Sequence, residues 1–233
     1  MQAVSLIGYK NSGKTSLAVQ LCECFQKRGM QVAAAKMSHH SFDAPDTDTR
    51  KLSRVASTVF GISPDQGLVL WNTKKYLPDL IGLTDAQLLL VEGGKTLRYL
   101  PKIICSESES EIRELDQGLT LAVWTSRKLP DLPVVQDLDN LASRILSQGF
   151  FLPGLDCQAC GREDCSVLAG EILRGEAAVE ECQALRSSLQ ITVNGRQIPL
   201  NPFVNSILAN GIKGLLSPLK GYAPGTIDIS LEV

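Results

Sequence analysis

The sequence lacks an excess of either charge: 23 Lys and Arg stand against 25 Asp and Glu, a formal net charge of -2. No run of cations is long enough to paint a basic face, so no nucleic-acid partner is expected. An unbroken apolar run of membrane-spanning length is also missing. The opening segment Gln2–Ile7 has no basic leader and is soon interrupted by polar residues, so neither insertion nor export is expected, and the expected location is the cytoplasm. No internal repeat or low-complexity stretch is visible. The seven cysteines are an odd number without a secretory leader, which argues against a disulfide framework and for reduced thiols, some of them metal ligands.

What is present is enough apolar material for a packed protein. The chain has 233 residues, 44% hydrophobic and 21% charged, room for one α/β domain of ordinary size and a smaller module. Apolar β-rich runs at 3–7, 32–36, 58–62, 67–71, 87–91, 102–105 and 119–124 alternate with helical patterns at 14–28, 49–56, 76–83, 109–115 and 137–147. This alternation is the signature of βαβ units and a mostly parallel sheet. Leu17, Leu21 and Phe25 form the stripe of a helix laid on a sheet. The alternation stops at 148–154, where Gly and Pro punctuate the chain. The division expected is therefore 1–149 and 150–233.

Gly8-Tyr9-Lys10-Asn11-Ser12-Gly13-Lys14-Thr15 fits G-x-x-x-x-G-K-[ST] between an apolar strand and an amphipathic helix, the context a phosphate-binding P-loop requires. Glycines let backbone N–H groups turn toward phosphate oxygens, and the helix N-terminus adds partial positive charge. Gly8, Lys10, Asn11, Ser12, Gly13, Lys14, Thr15 and Ser16 are the expected nucleotide contacts. Lys14 would bridge the β- and γ-phosphates and Thr15 would offer its hydroxyl to Mg²⁺; these two carry the chemistry. Leu88-Leu89-Leu90-Val91-Glu92-Gly93-Gly94 is an apolar strand ending in a carboxylate, so Glu92 is the second candidate magnesium ligand. The polar stretch holding both histidines, His39 and His40, with Asp48 and Arg50 beyond it, is a candidate switch loop or second-ligand site, for a pterin among others.

Taken in order, the Gly8-to-Thr15 motif, Lys36-Met37-Ser38-His39-His40 with Asp48 and Arg50, and Val91-Glu92-Gly93-Gly94-Lys95 with Pro101-Lys102-Ile103 resemble the MobB family. These are GTP-binding accessory proteins of molybdopterin-guanine dinucleotide biosynthesis. The resemblance runs over about residues 2–148. It implies a P-loop NTPase three-layer α/β sandwich, GTP with Mg²⁺, weak GTPase activity and a homodimer. It also implies dealings with molybdopterin and its guanylyltransferase or with a molybdoenzyme. Guanine enters through the resemblance alone, because no Asn/Thr-Lys-x-Asp motif is present and Trp124-Thr125-Ser126-Arg127-Lys128 stands at the strand end where a base would lie.

Cys157, Cys160, Cys165 and Cys182 supply four thiolates in one short segment, enough to hold a [4Fe–4S] cluster or a structural Zn²⁺. Paired C-x-x-C knuckles would favour zinc. Here the third cysteine opens a helical pattern at 166–174 and the fourth returns after a Gly-Glu turn. That arrangement resembles the small four-cysteine iron–sulfur domain of several electron-transfer and corrinoid proteins, so the cluster is the expected group and zinc the alternative. Cys22, Cys24 and Cys105 read as small buried hydrophobes. Beyond them, Asn194-Gly195 predicts a β-hairpin within 191–200, Asn201 caps a helix to Gly214 with a broad apolar face, and the segment 227–233 alternates like a strand. The fold class expected is thus the P-loop sandwich plus a small four-cysteine α+β module. The rival reading is a nucleotide-gated redox or metallochaperone module that docks on a molybdoenzyme.

Overall fold

Strands that are apolar at every position need cover on both faces, and this requirement sets the layers of the molecule. The structure, a computed structural model, describes residues 1–38, 42, 47–185, 189–194, 196–198, 200–223 and 225–230. In chain order its elements are β1 (Gln2–Ile7), α1 (Lys14–Lys27), β2 (Val32–Lys36), α2 (Asp48–Ser53), β3 (Thr58–Ile62), β4 (Gly67–Trp71), α3 (Leu77–Ile81), β5 (Leu88–Glu92), β6 (Lys102–Cys105), α4 (Glu109–Leu115), β7 (Thr120–Trp124), β8 (Val134–Val135), α5 (Leu138–Gln148), α6 (Cys165–Arg174), β9 (Ile191–Val193), β10 (Arg196–Ile198) and α7 (Pro202–Leu216). A short 3-10 turn lies at Val179–Glu181.

Six strands form a parallel sheet in the order β2-β5-β1-β6-β7-β8. On one face α1 and α5 lay Leu17, Leu21, Phe25, Leu141 and Ile145 over Val4, Leu6, Leu88, Leu90 and Ile103. On the other, α4 places Ile112 and Leu115 against Ile7, Ile104 and Val123, and α3 places Leu77 against Ala3, Leu89 and Val91. The expected α/β sandwich of three layers is therefore present. Each such Val, Leu, Ile or Phe side chain contributes about 1.5–3 kcal/mol by leaving water. The connection after β1 runs to one side, to the edge strand β2, whereas the connection after its neighbour β6 runs to the other, to β7; the carboxyl ends of β1 and β6 therefore flank a topological switch point, where ligands of such sheets bind.

Three expectations change. Thr58–Ile62 and Gly67–Trp71 do not join the sheet; they pair with each other, antiparallel. The turn between them closes through Ser63 N–H to the Gln66 carbonyl at 2.8 Å. Phe60 and Ile62 remain 71% and 91% exposed, so their apolar character does not draw them into the core. Residues 225–230 form no strand, and 231–233 lie outside the described residues; alternation without a neighbouring edge gives a backbone no ladder partner. The apolar face of α7 also stays exposed at Phe203, Ile207 and Leu215, and the residue it buries is Asn205, whose Nδ2 donates to the Leu189 carbonyl at 2.9 Å.

The chain at the expected boundary is anchored. Gly149 N–H donates to the Ile145 carbonyl at 2.8 Å and Phe150 N–H to the Ala3 carbonyl at 3.2 Å. Phe150 and Leu152 are buried with Leu119, Leu168, Ala169 and Cys182 in one cluster, so the cysteine segment packs against the sheet's own elements.

Candidate functional site

The loop after β1 is shaped by backbone constraints before any side chain acts. A Cβ on Gly8 would stand 2.4 Å from both the Cys105 carbonyl oxygen and Ser12 Oγ, so no other residue fits there. Gly13, with φ +81°, turns the chain into α1. No side chain caps α1 and no acidic residue sits in its first turn, which leaves its leading N–H groups and its positive dipole end facing the loop. Lys14 Nζ donates to the Tyr9 carbonyl at 2.5 Å and to Ser12 Oγ at 3.1 Å, and so folds back over the loop. Asn11 holds φ +63° within it, and Lys10, Gly13, Thr15 and Ser16 face solvent.

Glu92 is brought to this loop by sheet register. It ends β5, opposite Leu6 of β1 on one side and Lys36 of β2 on the other. Its Oε1 accepts from Thr15 Oγ1 at 2.8 Å and from Lys36 Nζ at 2.9 Å. Burial pushes the Glu92 carboxyl up, but the hydrogen bonds from Lys36 and Thr15 and the charges of Lys36 and Lys14 outweigh it and hold the group below its ordinary value. An ionised carboxylate and a hydroxyl thus stand together beside a loop of donors. That is the donor chemistry a magnesium–triphosphate needs, and these residues fit it.

The segment after Glu92 is pinned from below. Ser5 Oγ donates to the Gly93 carbonyl at 2.5 Å, and Gly93 N–H to the Leu6 carbonyl at 2.9 Å. Lys102, only 1% exposed, sends Nζ to the Lys95 carbonyl at 2.5 Å. Burial and the nearby Arg98 charge lower its pKa. Lys95 Nζ lies 3.5 Å from the Tyr9 ring centroid. Sequence gives these residues no individual role: Lys95 and Lys102 enter it only as part of the motifs that carry the family resemblance. Of the other candidates, His39 and His40 lie outside the described residues. Asp48 and Arg50 open α2, where Thr47 Oγ1 accepts from Arg50 N–H at 3.2 Å and Asp48 pairs with Lys51 at 3.1 Å.

The cysteine segment is organised by polar side chains. Asp164 caps α6 by accepting from Ser166 and Val167 N–H at 2.8 and 3.1 Å. Arg162 reaches the Cys160 carbonyl at 3.0 Å, Glu171 at 2.8 Å and Glu181 at 2.7 Å, and so joins the loop of Cys157 and Cys160 to α6 and to the turn before Cys182. Asp156 N–H donates to Cys165 Sγ at 3.4 Å. Burial raises the Cys165 thiol to about 11, and the charge of Cys182 adds to it. Burial also raises Cys182; amides of Leu185 and Ala184 oppose this, while Cys157 and Cys160 reinforce it. Cys182 is therefore the electrostatic neighbour of the other three thiols, with N–H groups aimed at Cys165 and Cys182, a donor set suited to a thiolate-bound metal group. Among the described residues no three His, Cys, Asp or Glu side chains stand in coordinating geometry. Cys105 is buried as expected, but Cys22 and Cys24 are only half-buried at the edge of the core.

Residues 3–125 match the family described as "Molybdopterin guanine dinucleotide synthesis protein B", MobB. The chain belongs to the MobB family. Residues 152–184 match a second family, described as "Putative Fe-S cluster", which spans all four clustered cysteines. A relative in Methanocaldococcus jannaschii, "Putative molybdopterin-guanine dinucleotide biosynthesis adapter protein", is 26% identical over 244 residues, covering 100% of this chain and 98% of its own. Two structures of Bacillus subtilis MobB match the fold. One has a TM-score of 0.54 at 21% identity over 64% of this chain and 99% of that one. The other has a TM-score of 0.51 at 22% identity, with the same two coverages of 64% and 99%. Among the described residues no helix is long and apolar enough to cross a membrane.

Proposed function

We propose that this MobB-family protein is a GTP-binding adapter of molybdopterin-guanine dinucleotide biosynthesis whose cysteine module carries a [4Fe–4S] cluster. The observation that carries the nucleotide half is the Thr15–Glu92 hydrogen bond of 2.8 Å beside Lys14 and the uncapped start of α1. In this reading Gly8, Lys10, Asn11, Ser12, Gly13 and Ser16 surround the phosphates, and Lys14 exchanges its bond to the Tyr9 carbonyl for phosphate oxygens. Thr15 and Glu92 hold Mg²⁺, whose role when bound is to neutralise phosphate charge. Weak GTPase activity, a slow switch rather than a fast hydrolase, belongs to the same reading. For the base, Glu107 stands just past β6, its carboxyl held down chiefly by the Ser126 hydroxyl and amide. Beside it, past β7, is a cleft of about 370 Å³ lined by Arg127, Lys128, Leu129 and Gln136.

In the module, Cys157, Cys160, Cys165 and Cys182 hold the cluster, with Arg162 and Asp164 positioning their loops. The relative that aligns along the whole of this chain supports the two parts acting as one protein. The division into 1–149 and 150–233, cytoplasmic location, a homodimer, and molybdopterin, its guanylyltransferase or a molybdoenzyme as partners belong to the same reading. A nucleotide-gated redox or metallochaperone role is favoured by one specific link: Arg98 pairs with Asp164 at 3.6 Å, and the Tyr99 carbonyl accepts from Leu152 N–H at 3.4 Å. The segment following Glu92 thus touches the cysteine module. The test is anaerobic purification, with iron, sulfide and zinc analysis and GTP and ATP calorimetry on the same sample. Iron with matching sulfide and magnesium-dependent triphosphate binding are expected. Zinc without sulfide overturns the cluster, and absence of nucleotide binding overturns the adapter.

A further inference from the structure

The chemistry of the Glu92 corner contains a conflict that its assigned partners do not resolve. One oxygen, Glu92 Oε1, is shared by Thr15 at 2.8 Å and Lys36 at 2.9 Å. Glu92 is largely enclosed, with its side chain 16% exposed, whereas the Lys36 side chain, at the end of β2, is 54% exposed. A divalent cation taken up by Thr15 and Glu92 would compete for the oxygen that Lys36 holds and would face the ammonium at close range. Like charges that close repel strongly in a half-enclosed site. Lys36 must then find another anion, and the neighbouring loop after β1 is where phosphate would supply one.

We propose that Lys36 is a triphosphate-sensing residue: it neutralises Glu92 in the nucleotide-free protein and transfers to the terminal phosphate when a divalent cation takes its place on Glu92. The exchange makes cation and triphosphate bind together, because either alone leaves one charge unpaired. A diphosphate, lacking the terminal group, does not complete it. This rests on the magnesium–triphosphate reading of the loop after β1.

The test uses the full chain, manganese as the cation probe, GDP and a non-hydrolysable GTP analogue, repeated with the adenosine pair. In Lys36→Met, manganese without nucleotide is expected to bind at least about threefold more tightly than in wild type. The preference for triphosphate over diphosphate is expected to fall by about tenfold, the scale of one charge-assisted hydrogen bond. Lys36→Arg should keep the preference, and Lys36→Gln replaces the Met variant if circular dichroism shows the latter unfolded. Either readout unchanged in a folded variant overturns the exchange. A wild-type protein that binds none of the nucleotides overturns the nucleotide reading itself, and this inference with it. A wild type that prefers triphosphate while the variant prefers it equally overturns only the role of Lys36.

Discussion

The loop after β1 and the cysteine segment are both candidate sites, yet they are organised by opposite means. At the first, backbone geometry and sheet register bring the groups together, and Thr15 and Lys36 both bond Glu92 directly. At the second, the thiols are gathered by an Arg162 clamp and the Asp164 cap, while among the described residues no three ligands reach coordinating geometry. The contrast follows from charge. A ring of N–H donors and one carboxylate tolerates proximity, because Lys14 and Lys36 balance Glu92. Neighbouring thiols oppose ionisation, as Cys157 and Cys160 do at Cys182, and a cation is what converts clustered thiols into thiolates that stay close.

The sharpest break between the two regions should come from Cys160→Ser. Anaerobically prepared wild type is expected to be brown with iron and sulfide, and the variant to lose nearly all of both and to loosen residues 151–233, while retaining nucleotide affinity within about twofold. Equal loss of nucleotide binding would show that the shared cluster around Leu119, Phe150 and Leu152 makes the regions one unit.

Lys14→Ala addresses the other side. Calorimetry should show triphosphate affinity at least about tenfold weaker, ~1.4 kcal/mol, with unchanged melting and unchanged iron, because the Lys14 ammonium serves the loop and no core contact. Unchanged affinity would remove the loop after β1 as the phosphate site.

A smaller effect is expected for Glu92→Gln, which should lower magnesium-dependent affinity about fivefold, ~1 kcal/mol, and magnesium-free binding less. Equal effects in both conditions would place the metal elsewhere.

One effect bears on stability alone and concerns Cys105, which lies beneath Gly8 and whose thiol burial raises from 9.0 to about 12. A raised thiol favours the folded state in its neutral form, so this stability is complete below pH 9 and is lost as pH rises toward 12. Unfolding free energies from urea melts at rising alkaline pH should therefore fall less steeply in Cys105→Ala than in wild type, by up to ~1.4 kcal/mol per pH unit. Parallel curves would mean that Cys105 ionises without strain.

The sandwich and its core were legible because a parallel sheet needs apolar residues at nearly every strand position, and the runs 88–91 and 103–104 can do little else. The phosphate loop was legible for a local reason: its glycines, lysine and threonine act through fixed spacing within eight residues, from Gly8 to Thr15. Composition also marked the four clustered cysteines. Long-range partners lay beyond periodicity and spacing. Nothing local announces that Lys36 ends opposite Glu92, that Lys102 turns inward to the Lys95 carbonyl, or that Phe60 and Ile62 belong to a separate hairpin. Sequence alone determined which residues are apolar enough to be buried and which carry reactive groups. Tertiary structure decided which charges meet, because strand order sets β5 between β1 and β2 and so fixes Glu92 between Thr15 and Lys36.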